Sequence, residues 1–385
     1  MLLVARKNLF SERTRLAISV GGVALAVLLI MLLFSLYRGW DEKIGGFVEN
    51  SDVDVWIASE GAKEFLGAAS LLPAGGSEGE TAANFLNSRS DIEEWSPLIV
   101  RQMEGVKVEV NDDGEKIGKE MNLQFIGFDL ETGLGGPIGE LKEGRGDPGA
   151  GELVVDEALS KRYGVGVDDV VRAGGNDWTV VGVSKGGDFV ATQTVFANHD
   201  QAQEALKMEE KTTFVVVKMT PDADISGFIE TVERADPRFV AFTRDEFTQN
   251  TRDRILSNIL PILLMVLGLA FIVGLAVSGL TIYTATVEKQ REYGILKAVG
   301  FKNSFLYRVV LEQSLVTGLL GFLIGVGITL LLTRFASDFV PQFVTYVRPA
   351  DIAFVAAATL LMSAIAAYIP VRRLASIDPV AVFKA

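Results

Sequence analysis

Val287-Glu288-Lys289-Gln290-Arg291-Glu292-Tyr293-Gly294-Ile295-Leu296-Lys297-Ala298-Val299-Gly300 is a charged, helix-compatible run set between two long apolar stretches. A run so placed is held at a membrane surface, because the stretches beside it are long enough to cross a hydrocarbon core. Uncharged windows occupy residues 16–37, 255–287, 313–333 and 352–371, with lengths of 22, 33, 21 and 20 residues. At about 1.5 Å of rise per residue, roughly 20 residues span a core about 30 Å thick. Four such windows exceed what the buried helices of a soluble protein show. The first also outruns the roughly 7–15 apolar residues of a cleaved signal peptide, and no A-x-A site follows it. The expected frame is an α-helical membrane domain of four transmembrane helices that carries one large external domain.

Basic residues bias the short flanks of membrane helices toward the cytoplasm. Arg6, Lys7, Arg13 and Arg15 precede the first window; Lys289, Arg291, Lys297, Lys302 and Arg308 lie between the second and third; Arg372, Arg373 and Lys384 follow the fourth. The reading is a multi-pass protein of the cell (inner, cytoplasmic) membrane with both termini in the cytoplasm. It predicts an amphipathic cytoplasmic elbow at 1–15, a first span at 16–37, an extracytoplasmic domain at 38–254 and a second span at 255–287. A cytoplasmic surface helix at 288–304 follows, then a third span at 305–333, a short external loop at 334–351, a fourth span at 352–371 and a cytoplasmic tail at 372–385.

Residues 41–252 hold 41 Asp and Glu against 20 Lys and Arg, a net of −21, whereas the whole chain carries −13, so the remainder is basic by 8. The acidity belongs to the external domain, and such a surface argues against nucleic acid as a partner. With no cysteine, disulfides and thiolate metal sites are excluded. The domain must be held by an ordinary apolar core, for which about 210 residues suffice.

Within it, Asp52-Val53-Asp54-Val55-Trp56-Ile57 alternates polar and apolar residues as a half-buried strand does. A β-branched run at 212–219, a helix over 222–235 with apolar positions Ile225, Phe228, Ile229 and Val232, and a strand at 238–242 read as a β-α-β unit. Between these ends lie strand patterns at 106–110, 123–128, 152–155, 169–171, 178–183 and 193–196, separated by turns such as Asn111-Asp112-Asp113-Gly114 and Gly174-Gly175-Asn176-Asp177. The external part is thus expected to be an α+β domain: an α/β lobe with a mainly-β lobe inserted at about 103–205, and a C-terminal stalk. The glycine-rich segment 133–151 reads as a mobile loop in or beside the inserted lobe. Residues 243–254 run without Gly or Pro into the second span and are helix-compatible, so stalk and span can form one helix, with Pro261 as a site of kinking. A flexible tether is the alternative for that segment.

Within residues 287–300, Tyr293, Ile295, Leu296 and Val299 offer an apolar surface while Glu288, Lys289, Arg291 and Glu292 stay polar. Gly300 suits a helix C-terminus, and Asn303 or Ser304 can cap the helix after it. From pattern alone this is either an interfacial anchor or a docking helix. Arg291-Glu292-Tyr293-Gly294-Ile295-Leu296-Lys297-Ala298-Val299-Gly300 resembles the R-E-I-G-I-L-[RK]-A-x-G signature of the FtsX/MacB-like ABC-transporter permeases, with Tyr293 where Ile is more frequent. Arg372-Arg373-Leu374-Ala375-Ser376-Ile377-Asp378-Pro379-Val380-Ala381-Val382 resembles the family's basic tail followed by D-P-x-x-A-[LV]. Asn8-Leu9 followed by Arg13-Thr14-Arg15-Leu16 resembles its elbow and first helix. One span, a large external domain and three closing spans is likewise the MacB-type order.

The resemblance implies a permease subunit without its own ATPase, served by two copies of an ABC ATPase that bind ATP and Mg. No Walker A motif occurs in the chain. It implies that Glu288 to Gly300 form the coupling helix. There Glu288, Arg291, Glu292 and Lys297 would meet the charged rim of the ATPase, Ile295 and Leu296 its apolar floor, and Gly294 would permit close backbone approach. ATP-driven closure would then move the external domains of this permease and of a second copy or paralogue by mechanotransmission, exporting or extracting an amphiphile, lipoprotein or peptide. The alternative is an FtsX-like signal transmitter that activates an extracellular enzyme; an ATP-independent receptor is a third. A periplasmic adaptor or other external protein is a further partner to consider beside the lipid bilayer.

Gly318, Gly321, Gly325 and Gly327 stripe the third span, and Gly268, Gly274, Ser278 and Gly279 mark the second. Small residues let helices approach in lipid, either within one subunit or across a dimer. Glu312, four residues after Arg308, reads as a snorkelling ion pair at the interface. His199, the only histidine, reads as a surface or cap residue. With one His and no Cys there is no Ser/His/Asp or Cys-based set, and acidic pairs such as Asp112/Asp113, Glu93/Glu94 and Asp168/Asp169 read as solvated turns. Catalysis by this polypeptide is not expected.

Overall fold

The computed structural model describes residues 13–65, 71–110, 116–187, 192–339 and 344–375. Most of the expected elbow, the Asn111–Gly114 turn and the tail beyond Ala375 with its Asp378-Pro379 motif lie outside the described residues. In chain order the elements are α1 (Arg13–Ile44), α2 (Gly46–Asn50), β1 (Val55–Ser59), β2 (Leu72–Pro73), α3 (Gly76–Asn87), β3 (Ile92–Val110), β4 (Lys116–Phe128), β5 (Leu141–Gly144) and β6 (Glu152–Asp156). Then come α4 (Glu157–Tyr163), β7 (Val170–Ala173), β8 (Asn176–Ser184), β9 (Gln193–Asn198), α5 (His199–Ala205), β10 (Lys211–Thr212), β11 (Phe214–Met219) and α6 (Ile225–Ala235). The chain continues through β12 (Phe239–Thr243), α7 (Arg244–Glu288), α8 (Gln290–Ala298), α9 (Asn303–Phe339) and α10 (Pro349–Ala375). It divides into two compact units, Met1–Gly39 with Asn258–Ala385, and Trp40–Ser257.

In the Trp40–Ser257 unit, β1 lies between β11 and β12 and is antiparallel to both, with Trp56 opposite Val216 and Phe242. β11 and β12 therefore run parallel, joined by α6, which is the β-α-β pattern read from 212–242. Alternation sends successive side chains to opposite faces of these strands. Val55, Ile57, Val217 and Met219 pack under α3 and α6 with Leu86, Phe228 and Val232. Trp56, Ala58, Phe214 and Val216 form the other face with Phe47, Phe65 and Phe247. There the Trp56 indole stacks on the Phe247 ring at 4.9 Å between centroids.

β3 is long enough to serve two neighbourhoods: Ile92 to Leu98 pair with β11, and Ile99 to Val110 pair with β4. From β4 the path runs parallel to β9, antiparallel to β6, parallel to β8 and antiparallel to β7, which returns to β3. The six strands β3, β4, β9, β6, β8 and β7 thus close a ring, which leaves those pairings without a free edge. Their alternate residues, among them Leu123, Phe125, Leu153, Val155, Trp178 and Val195, make one buried cluster. The β7–β8 connection is the two-residue turn at Gly174 (φ 60°) and Gly175 (φ 83°), where a left-handed backbone matches the twist of the flanking strands.

Three expectations need correction. Segment 133–151 is not a plain loop, since β5 pairs antiparallel with β8 within it. His199 is buried rather than at the surface; Asn198, not His199, caps α5 by accepting the Asp200 and Gln201 N–H groups. Its burial follows from the packing of α5 on β4, where the His199 backbone lies against Gly127. The strand read at 52–57 begins only at Val55; the Asp54 main chain still bonds to Val217 and Arg244, and its side chain accepts the Met219 N–H at 2.9 Å.

In the other unit α1, α7, α9 and α10 are long and apolar enough to cross a membrane by length and composition. Val23, Val27, Met31, Ala270, Val355 and Met362 form one buried cluster there. The glycine stripe is used inside the subunit. A Cβ on Gly318 would lie 2.1 Å from Ser363 Oγ of α10, and on Gly321 or Gly325 it would lie 2.5 Å from Val23 Cβ or 2.7 Å from the Ala24 carbonyl of α1. Gly327 meets nothing within 4 Å. The predicted Arg308–Glu312 ion pair does not form among the described residues: Arg308 is exposed, and the buried Glu312 Oε2 has no hydrogen-bond partner.

Candidate functional site

α7 ends at Glu288, and Lys289 (φ −89°, ψ 11°) turns the chain into α8, whose first turn is closed by the Tyr293 N–H donating to the Lys289 carbonyl at 3.0 Å. The helix stops at Gly300, which takes φ 99°, a left-handed value that a side chain disfavours. The Gly300 N–H donates to the Lys297 carbonyl at 3.0 Å and the Phe301 N–H to the Leu296 carbonyl at 3.1 Å. That pair of bonds is a Schellman cap, which satisfies carbonyls that a helix end otherwise leaves open. α9 starts three residues later at Asn303, so the helix between two membrane windows is shorter than the 288–304 read from sequence.

A turn of about 100° per residue decides which side chains of α8 face the bundle. Tyr293 and Leu296, three apart, point inward. Tyr293 is 4% exposed among Ile282, Leu306, Val310, Ala366 and Ala367, and Leu296 packs against the same cluster. Burial pushes the Tyr293 phenol above its ordinary pKa, and the neighbouring Glu292 charge adds to this. Ile295 and Val299, four apart, point outward and are 44% and 74% exposed, continued by Phe301 at 43%. Arg291 and Glu292 are exposed beside them, and Gly294 is buried. Ile295 and Leu296 therefore do not share one outward surface: Leu296 packs into the subunit's own core, and Val299 and Phe301 are the apolar side chains exposed beside Ile295.

Glu288 is also placed differently from the sequence reading. Its carboxylate accepts from the Arg15 guanidinium at 2.7 Å, so its charge is met within the subunit. A small cleft of about 50 Å³ lies beside this pair, lined by Arg15, Ser19, Thr281, Lys289, Tyr293 and Gln313. Sequence reasoning missed Arg15 as part of the site, because nothing local in residues 287–300 points to a partner on the first span. What results is a short capped helix with a packed inner face and an outer surface of three apolar side chains flanked by Arg291 and Glu292. Such a surface suits a protein partner with an apolar groove and a charged rim.

Comparison with known proteins locates two family models on the chain. The MacB-like periplasmic core domain matches residues 16–235, and the FtsX-like permease C-terminal domain matches residues 258–379, which include α8. The macrolide export ATP-binding/permease protein MacB of Hahella chejuensis is 23% identical over 405 residues, covering 96% of this chain and 58% of that protein. A Staphylococcus epidermidis protein named as a hemin transport system permease, HrtB, is 24% identical over 246 residues, 62% of this chain and 65% of that one. An ABC transporter permease of Methanocaldococcus jannaschii is 24% identical over 176 residues, 44% of each chain. The chain thus spans less than two thirds of the length of each of these relatives. Among solved structures, the periplasmic region of MacB from Actinobacillus actinomycetemcomitans aligns with 52% of this chain and 94% of its own, at 15% identity and a TM-score of 0.36.

Proposed function

Since this chain belongs to the MacB/FtsX family of ABC transporter permeases and is a membrane protein, we propose that it couples ATP hydrolysis by a nucleotide-binding partner to movement of its extracytoplasmic domain. By that movement it exports or extracts an amphiphile, lipoprotein or peptide. The observation that carries the reading is α8: a capped helix within the FtsX-like segment, between two membrane-spanning helices, with Ile295, Val299 and Phe301 exposed. These side chains enter the apolar groove of the ATPase, and Arg291, Glu292 and Lys297 meet its charged rim. ATP and Mg are bound by that partner, of which two copies serve two permeases.

The distribution of basic residues supports a cytoplasmic α8 and an extracytoplasmic Trp40–Ser257 unit. α7 supports the stalk reading, since one helix runs from Arg244 to Glu288 through Pro261. Residues of about 103–205 make the inserted lobe, a reading supported by the closed ring of strands from β3 to β9. Export is favoured over signal transmission because relatives carry transport and export names. The test is ATPase activity of the co-purified complex in lipid nanodiscs, with and without candidate amphiphiles. Co-purification of an ATPase stimulated by an amphiphile is the expected result. An intact chain that brings down no ATPase overturns the reading, and stimulation by a protein partner alone turns it toward signal transmission.

A further inference from the structure

A cleft of about 430 Å³ opens inside the Trp40–Ser257 unit, between α3, the end of α6 and the sheet. That volume lies in the range of roughly 300–1,000 Å³ typical of small-ligand sites. Its origin is visible in the helix sequence. Phe85 and Leu86 at the end of α3 reach the sheet and also line the cleft, whereas Ser77, Thr81 and Ala82 contribute side chains too small to fill it. The floor is apolar, with Ile57 and Val215 from the strands and Val232 from α6. The rim is charged. Arg238 lies 2.6 Å from Asp236 and 3.5 Å from Glu78, and Asp236 also accepts the Arg238 backbone N–H at 2.9 Å. One guanidinium is thus outnumbered by two carboxylates, and it is held on the rim by both of them. The surrounding domain is acidic as well, at −21 over residues 41–252.

We propose that this cleft binds a single-chain cationic amphiphile, with its hydrocarbon tail on the apolar floor and its cationic head beside Glu78 and Asp236. The volume favours a small molecule over a longer peptide, since about 430 Å³ holds one short hydrocarbon chain and its head. The rim sets the charge preference: an anionic head would add a third negative group next to two carboxylates, whereas a cationic head balances the excess. The inference rests on the cleft alone and not on ATPase coupling, so the failure of either reading leaves the other standing.

The test uses the full chain in lipid nanodiscs with a photoreactive dodecylammonium and a dodecyl sulfate carrying the same reactive tail, the labelled peptides being identified by mass spectrometry. The ammonium compound is expected to label peptides containing Phe85, Val232 and Phe239 as well as the membrane spans, and the sulfate to label the spans only. Ala82→Phe, which fills the cleft, should cut cleft labelling by about tenfold or more with span labelling unchanged. Glu78→Gln, an exposed change that leaves the fold intact, should cut it by roughly two- to fivefold. Absence of label from the cleft, equal cleft labelling by the sulfate, or full labelling in both variants overturns the proposal.

Discussion

Arg15 Nη2 lies 2.7 Å from the Glu288 carboxylate, joining the first turn of α1 to the last residue of α7 where the chain passes into α8. The two side chains are 27% and 57% exposed, so the pair contributes less than about 1 kcal/mol to stability. Its larger role is positional, since α8 begins two residues after Glu288. Glu288→Gln is therefore expected to shift the Tm by no more than about 2–4 °C. Under the proposed coupling, Arg15→Glu should lower the ATPase activity of the partner, and adding Glu288→Arg should restore it. A double-mutant cycle measures this directly; strictly additive losses would mean that the two residues act independently.

The outward and inward faces of α8 predict opposite outcomes for the same substitution. Val299→Asp alters a residue that is 74% exposed, so stability should change by less than about 0.5 kcal/mol while the ATPase no longer co-purifies. Leu296→Asp places a carboxylate against the cluster of Tyr293 and Leu306 and should destabilise by about 2–4 kcal/mol. Thermal unfolding and pull-down of the partner separate the two. A stable Leu296→Asp chain that alone loses the partner would put docking on the other face.

The same contrast explains what the sequence could reveal. Membrane windows are legible because hydrophobic length is a one-dimensional property, and Gly300 is legible because few residues tolerate a left-handed helix end. The β-α-β unit is legible from periods of two and 3.6 in adjacent runs. β3 is recognised only over its last residues, because Pro97 and Gly105 interrupt a strand that nonetheless runs from Ile92 to Val110. β5 hides in a glycine-rich segment, and the β7–β3 pairing that closes the ring is a tertiary event with no local signal. The site divides in the same way: the run 290–300 marks the helix, but the partner of Glu288 is 273 positions away.

The glycines of α9 give a graded prediction. Gly321→Ala would place a Cβ 2.5 Å from Val23 Cβ and 3.1 Å from the Val20 carbonyl, so α1 and α9 would have to separate. A loss of about 1–3 kcal/mol is expected from such overpacking. Gly327→Ala faces open space on the same helix and removes backbone freedom, so it should be neutral or slightly stabilising. Thermal unfolding in nanodiscs reads both. A stable Gly321→Ala chain, or loss of self-association with Gly327→Ala alone, would assign the stripe to a dimer interface instead.

His199 is 7% exposed, its Nε2 has no hydrogen-bond partner, and its Nδ1 lies 3.3 Å from Asp200 Oδ1. Burial lowers its pKa below the ordinary 6.5, against the opposing pull of Asp200 and Asp129. The unfolded imidazole titrates near 6.5, so between that value and the lower native one the unfolded chain binds more protons than the native chain. Stability must then rise with pH across this window. Equivalently, the contribution of a neutral His199 is complete above 6.5, falls as acid is added, and levels off once the native imidazole is also charged. The Tm of the protein minus that of His199→Gln, followed from about pH 8 to about pH 5, should decline through this interval, because the variant lacks the titrating group. A difference that stays flat would mean that Asp200 and Asp129 offset the burial of the native imidazole, and one that grows on acidification would mean that they outweigh it.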